Sequence, residues 1–291
     1  MKAIIFGING QDGFYLNALL NKAGIEVIGV SRRNPAYIIG DVADYPLVEK
    51  LIKDNQPNYI FHLAANSTTR HDTVFENYQT ISTGTLNILE AVYRYSNHSK
   101  VFISGSGLQF VNINEPIAET DPFEARDSYS MARIQSVYAA RYYRSLGLNV
   151  YVGYFFHHDS PFRHEKHLDM QIIKTALNIK KGLAQILEIG NPEVVKEFNH
   201  AYDMANAVWC LVKQNEVFEA TLGCGTGYSI QNWIDICFNI IGVDNKANIQ
   251  YKQNYRPDFL SMISNPSTIK LLGWVPKYDI HYLAHDMIKN G

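Results

Sequence analysis

Three glycines at positions 7, 10 and 13 constrain this chain more than any other feature, because they fall between a short apolar run and the start of a helical pattern. Ala3-Ile4-Ile5-Phe6 reads as a buried strand, and Gly7-Ile8-Asn9-Gly10-Gln11-Asp12-Gly13 then opens a helix over 13–23. Gly7 permits the tight turn, Gly10 lets backbone approach a pyrophosphate, and Gly13 lets helix and strand pack closely. The helix start offers free N–H groups and the favourable end of its dipole to an anion. A bare strand–helix turn would use the same residues, so the context must decide. That context is regular: strands are predicted at 27–30, 59–62, 101–104 and 149–156, with helices at 45–54, 77–96 and 128–146. Strands alternating with helices give an α/β fold, a Rossmann-type doubly wound parallel sheet.

After residue 158 the rhythm loosens. A strand at 186–189, a helix at 203–212 and a helix capped by Ser229 suggest a smaller α/β substrate-binding lobe. The expected division is 1–158 for the nucleotide-binding domain and 159–291 for the lobe, with the two interleaved. A net charge of −2 gives no broad attraction for nucleic acid. No apolar run approaches the ~20 residues that cross a bilayer, so no membrane association is expected. Cys210, Cys224 and Cys237 form no close pair, which points away from a disulfide framework and a thiolate zinc site. A cytoplasmic location is the expectation.

The end of the second predicted strand bears on which dinucleotide binds. An NAD site usually places Asp or Glu there for the ribose 2′-hydroxyl. Here the run is Val30-Ser31-Arg32-Arg33, and two guanidiniums suit a 2′-phosphate, so NADP(H) is favoured over NAD(H). Asp41 and Val42 follow at a position where an Asp can reach an adenine amino group. Leu63, Ala64 and Ala65 end the third strand with residues that include small ones, letting a cofactor cross closely.

Taken together these motifs resemble the extended short-chain dehydrogenases, and within them the GDP-mannose 4,6-dehydratase branch. The resemblance rests on Gly10-Gln11-Asp12-Gly13 with Tyr15-Leu16, on Arg32-Arg33, and on Gly84-Thr85-Leu86 with Leu89-Glu90-Ala91. It continues through His158-Asp159-Ser160-Pro161, Gly190-Asn191, Lys196-Glu197-Phe198-Asn199-His200, Arg256-Pro257, Asn265-Pro266 and Leu272-Gly273-Trp274-Val275-Pro276. It implies an enzyme acting on a GDP-linked sugar. By the same resemblance Lys174, Lys196 and Arg256 would meet the diphosphate, and Gly190 and Asn191 would lie near guanine and ribose. His158 would belong to the cofactor site and His157 to the substrate site.

The family works with a Ser/Thr–Tyr–Lys set. Tyr129 opens a predicted helix in Tyr129-Ser130-Met131-Ala132-Arg133, so Arg133 stands one turn on where the family carries lysine. A guanidinium favours the tyrosinate electrostatically but cannot relay its own proton. Ungapped spacing from Tyr129 places Gly105 on the family's Ser/Thr and Gly107 on the glutamate that serves a dehydratase as base. Ser104 or Ser106 would then supply the hydroxyl. The two glycines suggest a widened pocket floor and a larger sugar such as a heptose.

The expected function is therefore hydride transfer at sugar carbon 4 of a GDP-hexose or GDP-heptose, as a 4-ketoreductase or 4-dehydrogenase. Two other readings stand beside it: a 4,6-dehydratase with a relocated base, His157 being the imidazole to watch, and a non-catalytic relative that binds nucleotide sugar. The spacing of His157, His158, His164, His167 and His200 fits no zinc motif, so no metal is expected. The short run from Arg33 to Gly40 lacks the family's tetramer loop, and a homodimer through the 77–96 and 128–146 helices is expected.

Overall fold

A computed structural model describes residues 1–66, 68–183, 186–244 and 248–291. The apolar runs of the first half become β1 (Lys2–Phe6), β2 (Glu26–Ser31), β3 (Ile38–Ile39), β4 (Tyr59–His62), β5 (Lys100–Ser106) and β6 (Asn149–Phe155). Between them run α1 (Gln11–Lys22), α2 (Tyr45–Asn55), α3 (Val74–Asn77), α4 (Gly84–Tyr95) and α5 (Ser128–Ser145). The second half begins with β7 (His158–Asp159), α6 (Leu168–Lys180), β8 (Leu187–Ile189), β9 (Val195–Glu197), β10 (Asn199–His200), α7 (Ala201–Lys213) and β11 (Glu219–Leu222). It ends with β12 (Gly227–Ser229), α8 (Ile230–Ile241), β13 (Ile249–Tyr251), β14 (Ser261–Met262), α9 (Ser267–Leu271) and α10 (Ile280–Asn290).

The central sheet has the order β3-β2-β1-β4-β5-β6-β11, and every pair in it is parallel. Side chains alternate between its faces with the period of two expected of strands. Ile4, Phe6, Ile60, Val101, Ile103, Val150 and Val152 meet α2, α4 and α5 on one side. Ala3, Ile5, Phe61, Phe102 and Tyr151 meet α1 and α7 on the other. Both faces are covered, which is why the strands read as near-continuous apolar runs. The strand order reverses at β1 and β4, leaving a crevice outside their carboxyl ends, where ligands of such sheets bind.

The second half is interleaved with the first: β11 pairs with β6 at the sheet edge, and α7 packs beside α1. The remainder has its own apolar centre, with Ile172, Ile173, Trp233, Ile234, Phe238 and Leu283 from α6, α8 and α10. Ser229 caps α8 reciprocally with Asn232, and Gly242 ends it at φ +80°.

One element departs from expectation. The helix read over 77–96 starts earlier, as α3, and passes through a π-helical segment, Tyr78–Thr83, before α4. Such wide turns carry no breaker residue, so periodicity alone does not mark them.

Candidate active site

The glycine turn separates into two kinds of position. At Gly7, φ is +91° and a Cβ would lie 2.5 Å from the backbone nitrogen of Ala64. At Gly13 a Cβ would lie 2.5 Å from the Gly7 carbonyl oxygen. The fold itself forces both to be bare. A Cβ on Gly10 would meet only the Gly7 oxygen, at 3.4 Å, and Gly10 faces a 300 Å3 cavity. Gly7, Asn9, Arg32, Arg33, Asp41, Val42, Leu63, Ala64 and Ala65 line the same cavity, so the sequence-predicted nucleotide residues are gathered in one place. Gln11 and Asp12 turn the other way. The Gln11 amide donates to the His158 carbonyl at 3.2 Å and its oxygen accepts from Ser160 Oγ at 2.9 Å, while Asp12 pairs with His158 Nε2 at 2.9 Å.

A second cavity, of 550 Å3, shares Gly10, Leu63 and Ala65 with the first, so the two join. Tyr129, Arg133, Ser104 and Ser106 all line it. Asp127 caps α5 by accepting from Ser130 N, which fixes where the helix starts and therefore where Tyr129 stands. Tyr129 packs on Ile81, Ala132 and Leu108. The Arg133 guanidinium lies 5.0 Å from the centre of the Tyr129 ring, and its Nη1 donates to the carbonyl oxygen of Ser104 and, at 2.6 Å, to Ser104 Oγ. Arg133 Nε is buried with no partner among the described residues. Ser104 Oγ also donates to the His62 carbonyl at 2.9 Å, so that hydroxyl is fully engaged. Ser106 Oγ accepts from Leu108 N at 3.2 Å and keeps its own proton free to donate. Beneath them His62 is buried, and neither ring nitrogen makes a hydrogen bond of good geometry among the described residues. Burial, followed by the charge of Arg133, pushes its pKa down to about 4, so the ring stays neutral.

The two glycines do not widen the floor. A Cβ on Gly105 would strike the Tyr154 ring at 2.5 Å, and one on Gly107 would meet the Phe156 ring at 3.0 Å. Aromatic rings already occupy the space that the missing side chains leave, and the case for a larger sugar falls with that. Gly105 points toward Tyr154 and away from the side of the strand that carries Ser104 and Ser106.

The far wall is polar. His157 spends both nitrogens: Nδ1 meets the Glu197 carbonyl at 3.0 Å, and Nε2 lies 2.9 Å from Asp169 and 3.1 Å from Lys196 Nζ. Lys196 also bonds both Asp169 oxygens at 3.0 Å. His157, Asp159 and Asp169 come close enough to hold a metal ion, yet Lys196 and Arg163 are already paired with the two carboxylates. His167 precedes α6, lines the cavity and makes no hydrogen bond through its ring among the described residues. Burial, then Arg163 and His157, lower its pKa to about 4. Sequence reasoning missed Arg163 and Phe156 as lining residues, and it weighed His167 only as a metal ligand. The coil between Pro161 and α6 has no period to say which side chains turn inward. Lys174 is ion-paired with Glu165, and Lys174, Gly190, Asn191 and Arg256 line neither cavity.

The profile of the family described as GDP-mannose 4,6 dehydratase matches residues 4–287. The chain belongs to the GDP-mannose 4,6 dehydratase family. Among curated relatives, GDP-mannose 4,6 dehydratase 1 of Arabidopsis thaliana is 26% identical, over 98% of this chain and 88% of its own length. GDP-mannose 4,6-dehydratase of Yersinia enterocolitica is 27% identical, over 99% and 92%. Solved structures confirm the fold. A dTDP-glucose 4,6-dehydratase from Bacillus anthracis in complex with NAD superposes with TM-score 0.87 at 18% identity, over 100% of this chain and 96% of that one. RMD from Pseudomonas aeruginosa complexed with NADPH gives 0.86 at 20% identity, over 99% and 98%. As a member of the GDP-mannose 4,6 dehydratase family, the chain is an extended short-chain dehydrogenase-type enzyme of the nucleotide-sugar class, with a Rossmann-type sheet. Its own residues fit a dinucleotide: Gly10 leaves room that the protein does not need, and Arg133 Nε is a buried donor without a partner among the described residues.

Proposed function

We propose that this chain is an NADP(H)-dependent oxidoreductase that transfers hydride at carbon 4 of a GDP-linked hexose, as a 4-ketoreductase or 4-dehydrogenase. One observation carries the reading: Tyr129 and Arg133 stand together in the 550 Å3 cavity that adjoins the nucleotide cavity, while residues 104–110, where the family's dehydratase base belongs, offer no carboxylate. A bound nicotinamide would give or take the hydride. Tyr129 would pass the proton to or from the 4-oxygen, Ser106 would orient that oxygen, and Arg133 would hold the nicotinamide ribose through its free Nε. By family resemblance Lys174, Lys196 and Arg256 would meet the diphosphate, and Gly190 and Asn191 the guanine and ribose; of these Lys196 lines the cavity, where a diphosphate would have to compete with Asp169 for it. The same reading includes a homodimer through α4 and α5, supported by Leu86, Tyr93, Tyr138 and Tyr142, which are exposed at helical spacing.

The test is incubation of purified protein with GDP-4-keto sugars and NADPH. Loss of NADPH absorbance is expected, and Tyr129→Phe should slow it about 10²- to 10⁴-fold. Stable NADPH with every such substrate would sink the reading; turnover by Tyr129→Phe equal to the parent's would remove Tyr129 as the proton donor, and binding of cofactor and nucleotide sugar with no turnover would mark a binding protein instead. A second reading, 4,6-dehydration with a relocated base, draws on one observation: with His157 tied at both nitrogens, the neutral ring of His167 is untethered. Conversion of GDP-mannose to a product lighter by one water would select it.

A further inference from the structure

Arg32 leaves the end of β2 and lines the 300 Å3 cavity, but its guanidinium already has an anion. Its Nη1 lies 3.0 Å from Glu76 Oε1. The other oxygen of Glu76 accepts from Asn66 Nδ2 at 3.0 Å. Asn66 follows β4, on the other side of β1 from Arg32, so one carboxylate on α3 bridges both rims of the crevice. The Arg32 and Glu76 side chains are 48% and 44% exposed, so water competes for the pair and it can open. Arg33 lines the same cavity without an ion-pair partner among the described residues.

We propose that Glu76 sets the choice between NADPH and NADH. The inference rests on the dinucleotide reading above and deepens it. A 2′-phosphate needs the forked donors of arginine. Here it must take Arg32 from a carboxylate that Asn66 keeps close, and the two anions repel. A 2′-hydroxyl meets neither obstacle: Glu76 leaves Arg32 neutralised, so no unpaired cation faces an uncharged ribose. Two arginines at the strand end therefore overstate the demand for a phosphate, and Glu76 lowers the preference for NADPH over NADH.

Titration of the purified protein with each dinucleotide, followed by nicotinamide fluorescence, tests this. Glu76→Gln should tighten NADPH by about two- to five-fold, the range an exposed ion pair allows, and leave NADH unchanged. The gain should vanish when Arg32→Ala is added to Glu76→Gln. An unchanged NADPH to NADH ratio in Glu76→Gln, or a gain that persists without Arg32, would overturn the proposal and leave the cofactor reading intact. Failure of the unaltered protein to bind either dinucleotide would overturn that reading as well. Both side chains are half-exposed, so the substitutions leave the core alone.

Discussion

At His158 two effects oppose each other. Burial disfavours the imidazolium, but the Asp12 carboxylate 2.9 Å away favours it more, and the histidine pKa ends above its ordinary 6.5. Asp12 mirrors this: burial raises its pKa, the charge of His158 lowers it, and the net shift is downward from 3.8. The raised histidine contributes stability that is complete below pH 6.5 and is lost as pH climbs through its folded value. The depressed aspartate contributes stability that is present above 3.8 and is lost as pH falls through its folded value. The thermal midpoint of the parent, relative to His158→Gln, should therefore be greatest between those limits and shrink on either side. Scanning calorimetry across pH checks it, and a difference that stays flat would remove the ion pair from the account. The residue types at this contact were readable in advance, but their pairing was not. It joins the first turn of α1 to a strand 146 positions away, and nothing local encodes such a distance.

The strand–turn–helix unit of β1 and α1 was legible because each glycine has a separate physical reason. The structure sharpens those reasons into a contrast that can be measured. Gly13→Ala would press a methyl group into the Gly7 carbonyl and Ile8, and should cost about 1–3 kcal/mol of stability. Gly10 has φ −80° and ψ 166°, a conformation alanine adopts freely, so Gly10→Ala should fold as well as the parent or gain about 0.4–1 kcal/mol. Its dinucleotide affinity should nonetheless drop at least about tenfold, since the methyl enters the space left for the pyrophosphate. Chemical denaturation and cofactor titration separate the two effects, and equal binding by Gly10→Ala and the parent would refute the assignment of that space. The π-helical segment Tyr78–Thr83 was not legible, because the apolar spacing around it also satisfies an ordinary helix. The glycine pair at 105 and 107 was misread in the same way: a missing side chain signals a void only when no neighbour fills it, and Tyr154 and Phe156 do.

For the molecule as a whole, alternating apolar runs and helical patterns disclosed a parallel sheet, and the later coil disclosed much less. Lys174 shows why: a cation can be placed by its motif, but only the folded chain reveals Glu165 beside it. The α4–α5 surface gives the assembly prediction. The protein should sediment at about twice 33.1 kDa, and a double substitution, Leu86→Glu with Tyr142→Glu, should return it to a single copy. Sedimentation velocity decides, and a parent that stays at one copy at micromolar concentration would rule the interface out. The path of β11 carries one more consequence. The backbone leaves the sheet after β6, builds much of the cleft's far wall, and comes home as the outermost strand. A polypeptide stitched through the same scaffold twice cannot be trimmed at residue 158 without tearing the seam that shields β6. The first and second halves should therefore lose their structure in a single transition.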